Sequence, residues 1–365
     1  MPRYLNTNAR SWTAPRLERS PRAFHRSLPG YAPTPLVEIP GLASELGAGR
    51  VFVKDESSRL GLPAFKILGA SFAVARALSA RLGEREPLPL DELRARLAGS
   101  GLTLTAATDG NHGRAVARAA AWAGLRAVVS VPPGVSEEAR AGIVAEGAEL
   151  VELDLAYDDV VRRVAEEADE QTVLVQDTSW EGYEEVPGWI VDGYDTMLAE
   201  TDAQLAGAGV DAPDLVLAPA GVGSFAQAVV AHYRRDGHRP AVVAVEPDTA
   251  ASVTAALEAD RIVPVETGDT IMTGLNCGTV SEIAWPVLRE GLDAAETVTD
   301  REALDAVHQL AGFGVDSGPC GAATLAAARR LLSSRDRREL LGLTSEAVVV
   351  LLSTEGRAAN PKTLP

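Results

Sequence analysis

Three lysines, Lys54, Lys66 and Lys362, stand among 34 basic residues that are otherwise all arginine. Solubility and surface ion pairing are therefore met by guanidinium, and a lysine inside an apolar segment calls for a separate reason. Lys66, in LGLPAFKILGASFAVARAL, is such a residue. Arginine stays charged, so it cannot replace an amine that must lose its proton and attack a carbonyl. A lysine beside an apolar helix also suits a snorkelling surface position, so other segments have to decide.

Two segments add chemistry. Ala220-Gly221-Val222-Gly223-Ser224 follows the apolar run DLVLAP and opens a helical pattern. Successive N–H groups at such a place, with a helix N-terminus behind them, cradle an anionic phosphate. A dinucleotide site would place a third glycine where Ala226 stands and an acid near Val243, so a monophosphate fits better. Asp109-Gly110-Asn111-His112-Gly113 lies between the strand-like TLTAAT and a helical pattern from Arg114. Its Asn amide can bond a ring oxygen while the glycines admit a flat cofactor; a plain turn fits the same residues.

The elements that must position these groups follow from periodicity. Residues 1–35 are polar and proline-punctuated and are expected to wrap the surface ahead of a strand at VFVKDE, about 51–56. A helix is expected to begin near Lys66 and run through Leu78. Short β-branched runs (TLTAAT, RAVVSVP, ELVELD, TVLVQD) then alternate with helical segments. A second such series runs from DLVLAP through AVVAVEP to EAVVVLLSTEG. This alternation predicts an α/β protein with two doubly wound, mostly parallel sheets and a cleft between them. Residues 1–80 and 196–365 are expected to form the larger domain, with 81–195 inserted as the smaller. The acidic, Trp-bearing stretch DTSWEGYEEVPGWIVDGYDT, from Asp177, reads as a lid or as a solvated loop.

Composition narrows the function classes. Net charge −17 disfavours nucleic acid and anionic membranes as partners. No run approaches the roughly 18–20 apolar residues of a membrane span, and a cytoplasmic protein acting on a small molecule is expected. Two cysteines, Cys277 and Cys320, and five dispersed histidines offer no metal-ligand spacing. Both cysteines are expected in the core.

In order and combination, Lys66-Ile67-Leu68-Gly69-Ala70, Gly110-Asn111-His112, Gly221-Val222-Gly223-Ser224 and Ser353-Thr354-Glu355-Gly356 resemble the fold type II pyridoxal 5′-phosphate (PLP) enzymes, the tryptophan synthase β-subunit-like family. The resemblance runs from about Leu36 to Arg357. Within that family, Asp109 in AATDGNHGRAVA, the stretch from Asp177 and MTGLNCG at 272–278 are similar to the diaminopropionate ammonia-lyases. Bulky Phe225 in the phosphate loop and Pro319-Cys320 depart from the usual pattern.

The resemblance implies PLP held as a Schiff base on Lys66, with its ring hydroxyl on Asn111. Its phosphate would lie on Gly221, Val222, Gly223, Ser224 and Phe225, and its pyridine nitrogen would face Ser353 or Thr354. It implies elimination of ammonia from 2,3-diaminopropionate, in the L- and D-forms, to pyruvate and two ammonia. Lys66 would act as base, and Asp109 and Asp177 would meet the substrate's second amine, Asp109 also being a candidate base on the opposite face. Asp109 also suits a turn or helix N-cap, and Asp177 a strand end. A serine/threonine dehydratase shares the PLP contacts without needing the carboxylates, and a catalytically silent PLP-binding protein is a remoter reading. A homodimer is usual for the family.

Overall fold

The computed structural model describes residues 4–108, 110–235 and 237–360. Asp109 and Lys362 lie outside them. The strands in chain order are β1 (Tyr4–Leu5), β2 (Leu36–Glu38), β3 (Arg50–Asp55), β4 (Thr103–Ala107), β5 (Arg126–Val131), β6 (Glu149–Glu152), β7 (Thr172–Leu174), β8 (Leu215–Pro219), β9 (Ala241–Pro247), β10 (Ala294–Val298) and β11 (Val348–Ser353). The chain divides into two compact units, one of Met1–Glu18, Pro33–Ser58 and Met197–Pro365, the other of Arg19–Ala32 and Arg59–Thr196.

The first unit holds a seven-stranded sheet ordered β1-β10-β9-β8-β11-β3-β2. Only the edge pairs β1–β10 and β2–β3 are antiparallel. LVLAP and AVVAVEP are buried throughout and VVVLLS everywhere but at Val348, as central strands covered on both faces must be. The buried helix Pro319–Leu332 packs on β8, β9, β10 and β11. β10 gave no apolar run to read: its AAETV is wholly buried, and Glu296 in it is paired at 3.1 Å with Arg337. The N-terminal segment does more than wrap the surface, because Tyr4 and Leu5 add an edge strand to β10.

The second unit holds a four-stranded parallel sheet ordered β6-β5-β4-β7. Helices Asn111–Ala123 and Tyr157–Glu167 pack on it. Gly113 permits the first contact, since a Cβ there would meet Thr108 and lie 2.6 Å from Val129 Cγ1. The helix Lys66–Arg81 packs on Asn111–Ala123, so residues 59–80 group with this unit, whereas the sequence reading placed them with the larger one.

The stretch from Asp177 also differs from the loop expected. Residues 185–207 form one helix, Glu185–Gly207. Pro187 falls in its first turn, where no N–H is needed, and Gly193 is required by close packing rather than breaking the helix. None of the described helices is long and apolar enough to cross a membrane.

Candidate active site

In a doubly wound sheet, ligands bind beyond the carboxyl ends of strands where the strand order reverses. The chain has two such points. In the first unit the order turns between β8 and β11, neighbours paired through Leu217 and Leu351. The segments leaving their carboxyl ends are Ala220–Gly223 and Thr354–Gly356. In the second unit it turns between β4 and β7, paired through Thr105 and Leu174. Gly110-Asn111-His112 and Gln176-Asp177 follow those strands.

At the first point, β8 runs through the glycine loop into the helix Ser224–Arg235. The N–H groups of Gly221, Val222 and Gly223 meet no acceptor among the described residues. Gly223 has φ +93°, and a Cβ on it would lie 2.9 Å from Leu288 Cδ1. A Cβ on Gly221 would lie 3.0 Å from Cys277 Sγ and 3.1 Å from the Gly274 carbonyl, so the 272–278 motif backs this loop. Such a loop suits one phosphate group. Cys277 is half-buried there, while Cys320 is in the core as expected.

On β11, Ser353 Oγ donates to Ser317 Oγ at 2.8 Å. Gly321 makes room for both hydroxyls, which a Cβ would approach to 2.7 and 2.8 Å. Ser353 and Thr354 are both buried. An acid does end the strand after the glycine loop, but Glu246 is saturated by the helix Ser252–Ala259. It accepts from the N–H groups of Val253 at 2.7 Å and Thr254 at 2.9 Å, and from Thr254 Oγ1 at 2.6 Å. It caps a helix and leaves nothing for a dinucleotide ribose.

At the second point, Lys66 opens its helix and its Nζ donates to Asp177 Oδ2 at 2.6 Å. Its side chain keeps 22% exposure against 10% for Asp177. Burial opposes ionisation of Asp177, but the adjoining His112 and Lys66 and the Lys66 hydrogen bond outweigh it and hold the carboxyl well below its usual range. Asp177 is thus a carboxylate paired with the candidate lysine, a partnership its sequence position did not disclose.

Asp177 is set by what precedes and follows it. Val175 N–H bonds Thr105 at 2.8 Å, and the Gln176 amide oxygen accepts from Ala107 N–H at 3.0 Å. The Tyr183 hydroxyl accepts from Gln176 N–H and donates to the Leu174 carbonyl, both at 2.9 Å. Trp180 stacks on Tyr183 with centroids 4.5 Å apart. Val175 and Gln176 therefore fasten β7's extension to β4, and Tyr183 ties the 177–184 loop back onto that extension.

Asn111 begins its helix and is half-buried; Thr108 Oγ1 accepts from the N–H groups of Gly110 at 3.0 Å and Gly113 at 3.2 Å. His112, next to Asn111, is buried and lies 3.8 Å from Asp177 Oδ2, a neighbour that its place in the Gly110-Asn111-His112 motif does not disclose. Lys54 separates cleanly from Lys66. It is fully buried and donates to Thr34 O at 2.8 Å, Gln204 Oε1 at 2.9 Å and Glu200 Oε2 at 3.0 Å, a structural anchor.

The family profile of the pyridoxal-phosphate dependent enzymes matches residues 28–355. The chain is 38% identical over 350 residues to diaminopropionate ammonia-lyase of Escherichia coli K12, covering 92% of this chain and 87% of that one. The holo structure of the Escherichia coli enzyme superposes with TM-score 0.86 at 36% identity, over 94% of this chain and 89% of that one. Its complex with an aminoacrylate-PLP azomethine reaction intermediate gives 0.83 at 34% identity, with the same coverage. The chain belongs to the pyridoxal-phosphate dependent enzymes, in the family of the diaminopropionate ammonia-lyases. PLP is its cofactor.

Proposed function

We propose that this PLP-dependent lyase removes ammonia from 2,3-diaminopropionate, taking one water and giving pyruvate and two ammonia. The observation that carries this reading is the Lys66–Asp177 pair, 2.6 Å apart at a strand-order reversal. A carboxylate beside the reactive amine is what a substrate with a second ammonium group needs, and a hydroxy-amino acid does not. The relatives named above support the substrate class.

PLP, when bound, supplies an aldehyde for an amine and a ring that draws electrons from the carbon next to it. Lys66 is assigned as the amine that joins that aldehyde and, once displaced by substrate, takes the proton from the α-carbon. Asn111 is assigned to the ring hydroxyl and Gly221, Val222, Gly223, Ser224 and Phe225 to the phosphate. Ser353 or Thr354 is assigned to the pyridine nitrogen, where a neutral hydroxyl leaves that nitrogen uncharged. Asp177 and Asp109 receive the substrate's second amine, and Asp109 serves the D-isomer as base on the other face. We place the enzyme in the cytoplasm as a homodimer.

Two measurements test this. Borohydride reduction of the PLP-loaded protein followed by peptide mapping should mark Lys66. Pyruvate release should be much faster from DL-2,3-diaminopropionate than from serine or threonine, assayed side by side. Preference for serine or threonine would make it a dehydratase, and no turnover with an intact lysine adduct would make it a silent binder.

A further inference from the structure

We infer that Arg118 is a positioning residue for Lys66: with Glu146 behind it, its guanidinium locks a strained turn from which the chain runs directly into the Lys66 helix. The inference rests on the reading of Lys66 as the attachment amine.

Leu60 and Asp260 are the non-glycine residues with positive φ among those described, at +52° and +53°. Asp260 is exposed and caps the helix Ser252–Ala259, where a short polar side chain tolerates the left-handed region. Leu60 is buried and apolar, and a left-handed leucine is disfavoured roughly tenfold. Gly61 follows at φ +76°, and Leu62 N–H bonds the Arg59 carbonyl at 2.9 Å. Positive φ at both central residues is the pattern of a type I′ turn, whose first central place ordinarily goes to Asn, Asp or Gly. A leucine persists there when its surroundings hold it.

The hold comes from the helix Asn111–Ala123. Arg118 Nη1 donates to the Leu60 carbonyl at 3.1 Å, and its Nε pairs with Glu146. Glu146 also takes Arg114 Nε, one turn earlier on the same helix, at 3.2 Å, and its side chain is only 8% exposed. The Arg118 guanidinium carbon lies 5.7 Å from the Trp122 ring centroid. A planar fork gripped by that carboxylate and flanked by an aromatic ring is held in one orientation. The Leu60 carbonyl is thereby fixed relative to the helix that begins at Asn111.

Little slack separates the turn from Lys66. Pro63 has its φ set by its ring, and Leu62, Ala64 and Phe65 are buried. Without Arg118 the Leu60 backbone would be drawn back to the right-handed region and its carbonyl would swing. That displacement would pass along the stiff segment to Lys66.

Arg118→Met and the double variant Arg118→Met/Leu60→Asn, both full-length, provide the test. Asn has nearly the outline of Leu and tolerates positive φ, so it should keep the turn in shape when the clamp is gone. In the cofactor-free chains, exchange of the Leu62 amide, followed by NMR, should be about tenfold faster in Arg118→Met and return to within about threefold of the parent in the double variant. With PLP added, the equilibrium constant for the Lys66 adduct, read by absorbance and confirmed by borohydride mapping, should weaken about tenfold in Arg118→Met and recover in the double variant. A general loss of stability would not be rescued by a second substitution that puts an amide at a buried position. Unchanged exchange or an unchanged adduct constant in Arg118→Met, or a double variant no better than the single, overturns the inference. If borohydride fails to mark Lys66 in the parent itself, the functional reading falls, while the exchange comparison still decides whether Arg118 holds the turn.

Discussion

Gly193 lies against Gly69 so closely that neither position has room for a side chain. A Cβ on Gly193 would stand 2.6 Å from the Leu68 carbonyl oxygen and 2.8 Å from the Gly69 Cα, and one on Gly69 would stand 2.6 Å from Tyr194 Cε1. The helices Lys66–Arg81 and Glu185–Gly207 cross here backbone to backbone. Lys66 sits one turn before the crossing.

Gly193→Ala should therefore destabilise the fold by about 1–3 kcal/mol, the usual cost of overpacking, because the obstacle is backbone and cannot rotate away. Gly188→Ala, in the same helix with nothing within 4 Å, should instead stabilise by up to about 1 kcal/mol through helix propensity. Urea unfolding of the two variants compares them directly; an equal effect of both would remove the crossing as the cause.

Asp177→Asn keeps the shape and removes the charge facing Lys66. Loss of a charge-assisted hydrogen bond worth about 1.5–3 kcal/mol should lower kcat/KM on 2,3-diaminopropionate by roughly 10- to 150-fold, while any turnover of serine changes less. Parallel steady-state assays on the two substrates would show it, and equal losses would argue against Asp177 as the ammonium partner.

The same residue has a stability signature with a definite sign. Its folded pKa is depressed against an ordinary carboxylate near 4, so its contribution is present above that value and fades as pH falls through the folded pKa. The stability gap between parent and Asp177→Asn should be full at pH 7 and smaller at pH 3. Denaturant titrations at both values would detect a constant gap, the contrary result.

Arg234 is fully buried and gathers the N-terminal segment. Its Nε donates to the carbonyls of Gly291 at 3.0 Å and Ala9 at 3.1 Å, and Nη2 pairs with Asp293. Asp293 also takes Arg10 Nε and Val242 N–H, each at 2.8 Å. Arg234→Met should cost about 3 kcal/mol, the low end for losing one partner of a buried pair, since those partners remain. Limited proteolysis should then cut within residues 4–14 first, and an unchanged cleavage pattern would count against the anchoring role.

Asp109→Asn addresses the stereochemical assignment. Turnover of D-2,3-diaminopropionate should fall at least about tenfold more than that of the L-isomer, because a general base contributes on the order of 100-fold or more to the step it serves and Lys66 would serve the other face. Separate assays on the pure isomers decide it; equal losses would reassign Asp109 to binding alone.

The alternation of β-branched runs and helices, the scarcity of lysine, and the glycines ahead of Ser224 were legible in the chain because each is a local requirement. A buried parallel strand needs an apolar run, a Schiff-base amine needs lysine, and a phosphate loop needs bare N–H groups, whatever surrounds them. β10 was invisible for the converse reason, since its buried Glu296 is paired with Arg337, which lies 41 residues away along the chain. The helix after Glu185 was hidden because its glycine reads as a breaker until Gly69 is seen against it. Sequence alone thus determined the family, the cofactor and the fold class. Only the tertiary structure decided that Asp177 pairs with Lys66, 111 residues away, that His112 turns its Nδ1 toward that pair, and that Lys54 is merely an anchor, because charges meet through space and no spacing along the chain encodes the distance.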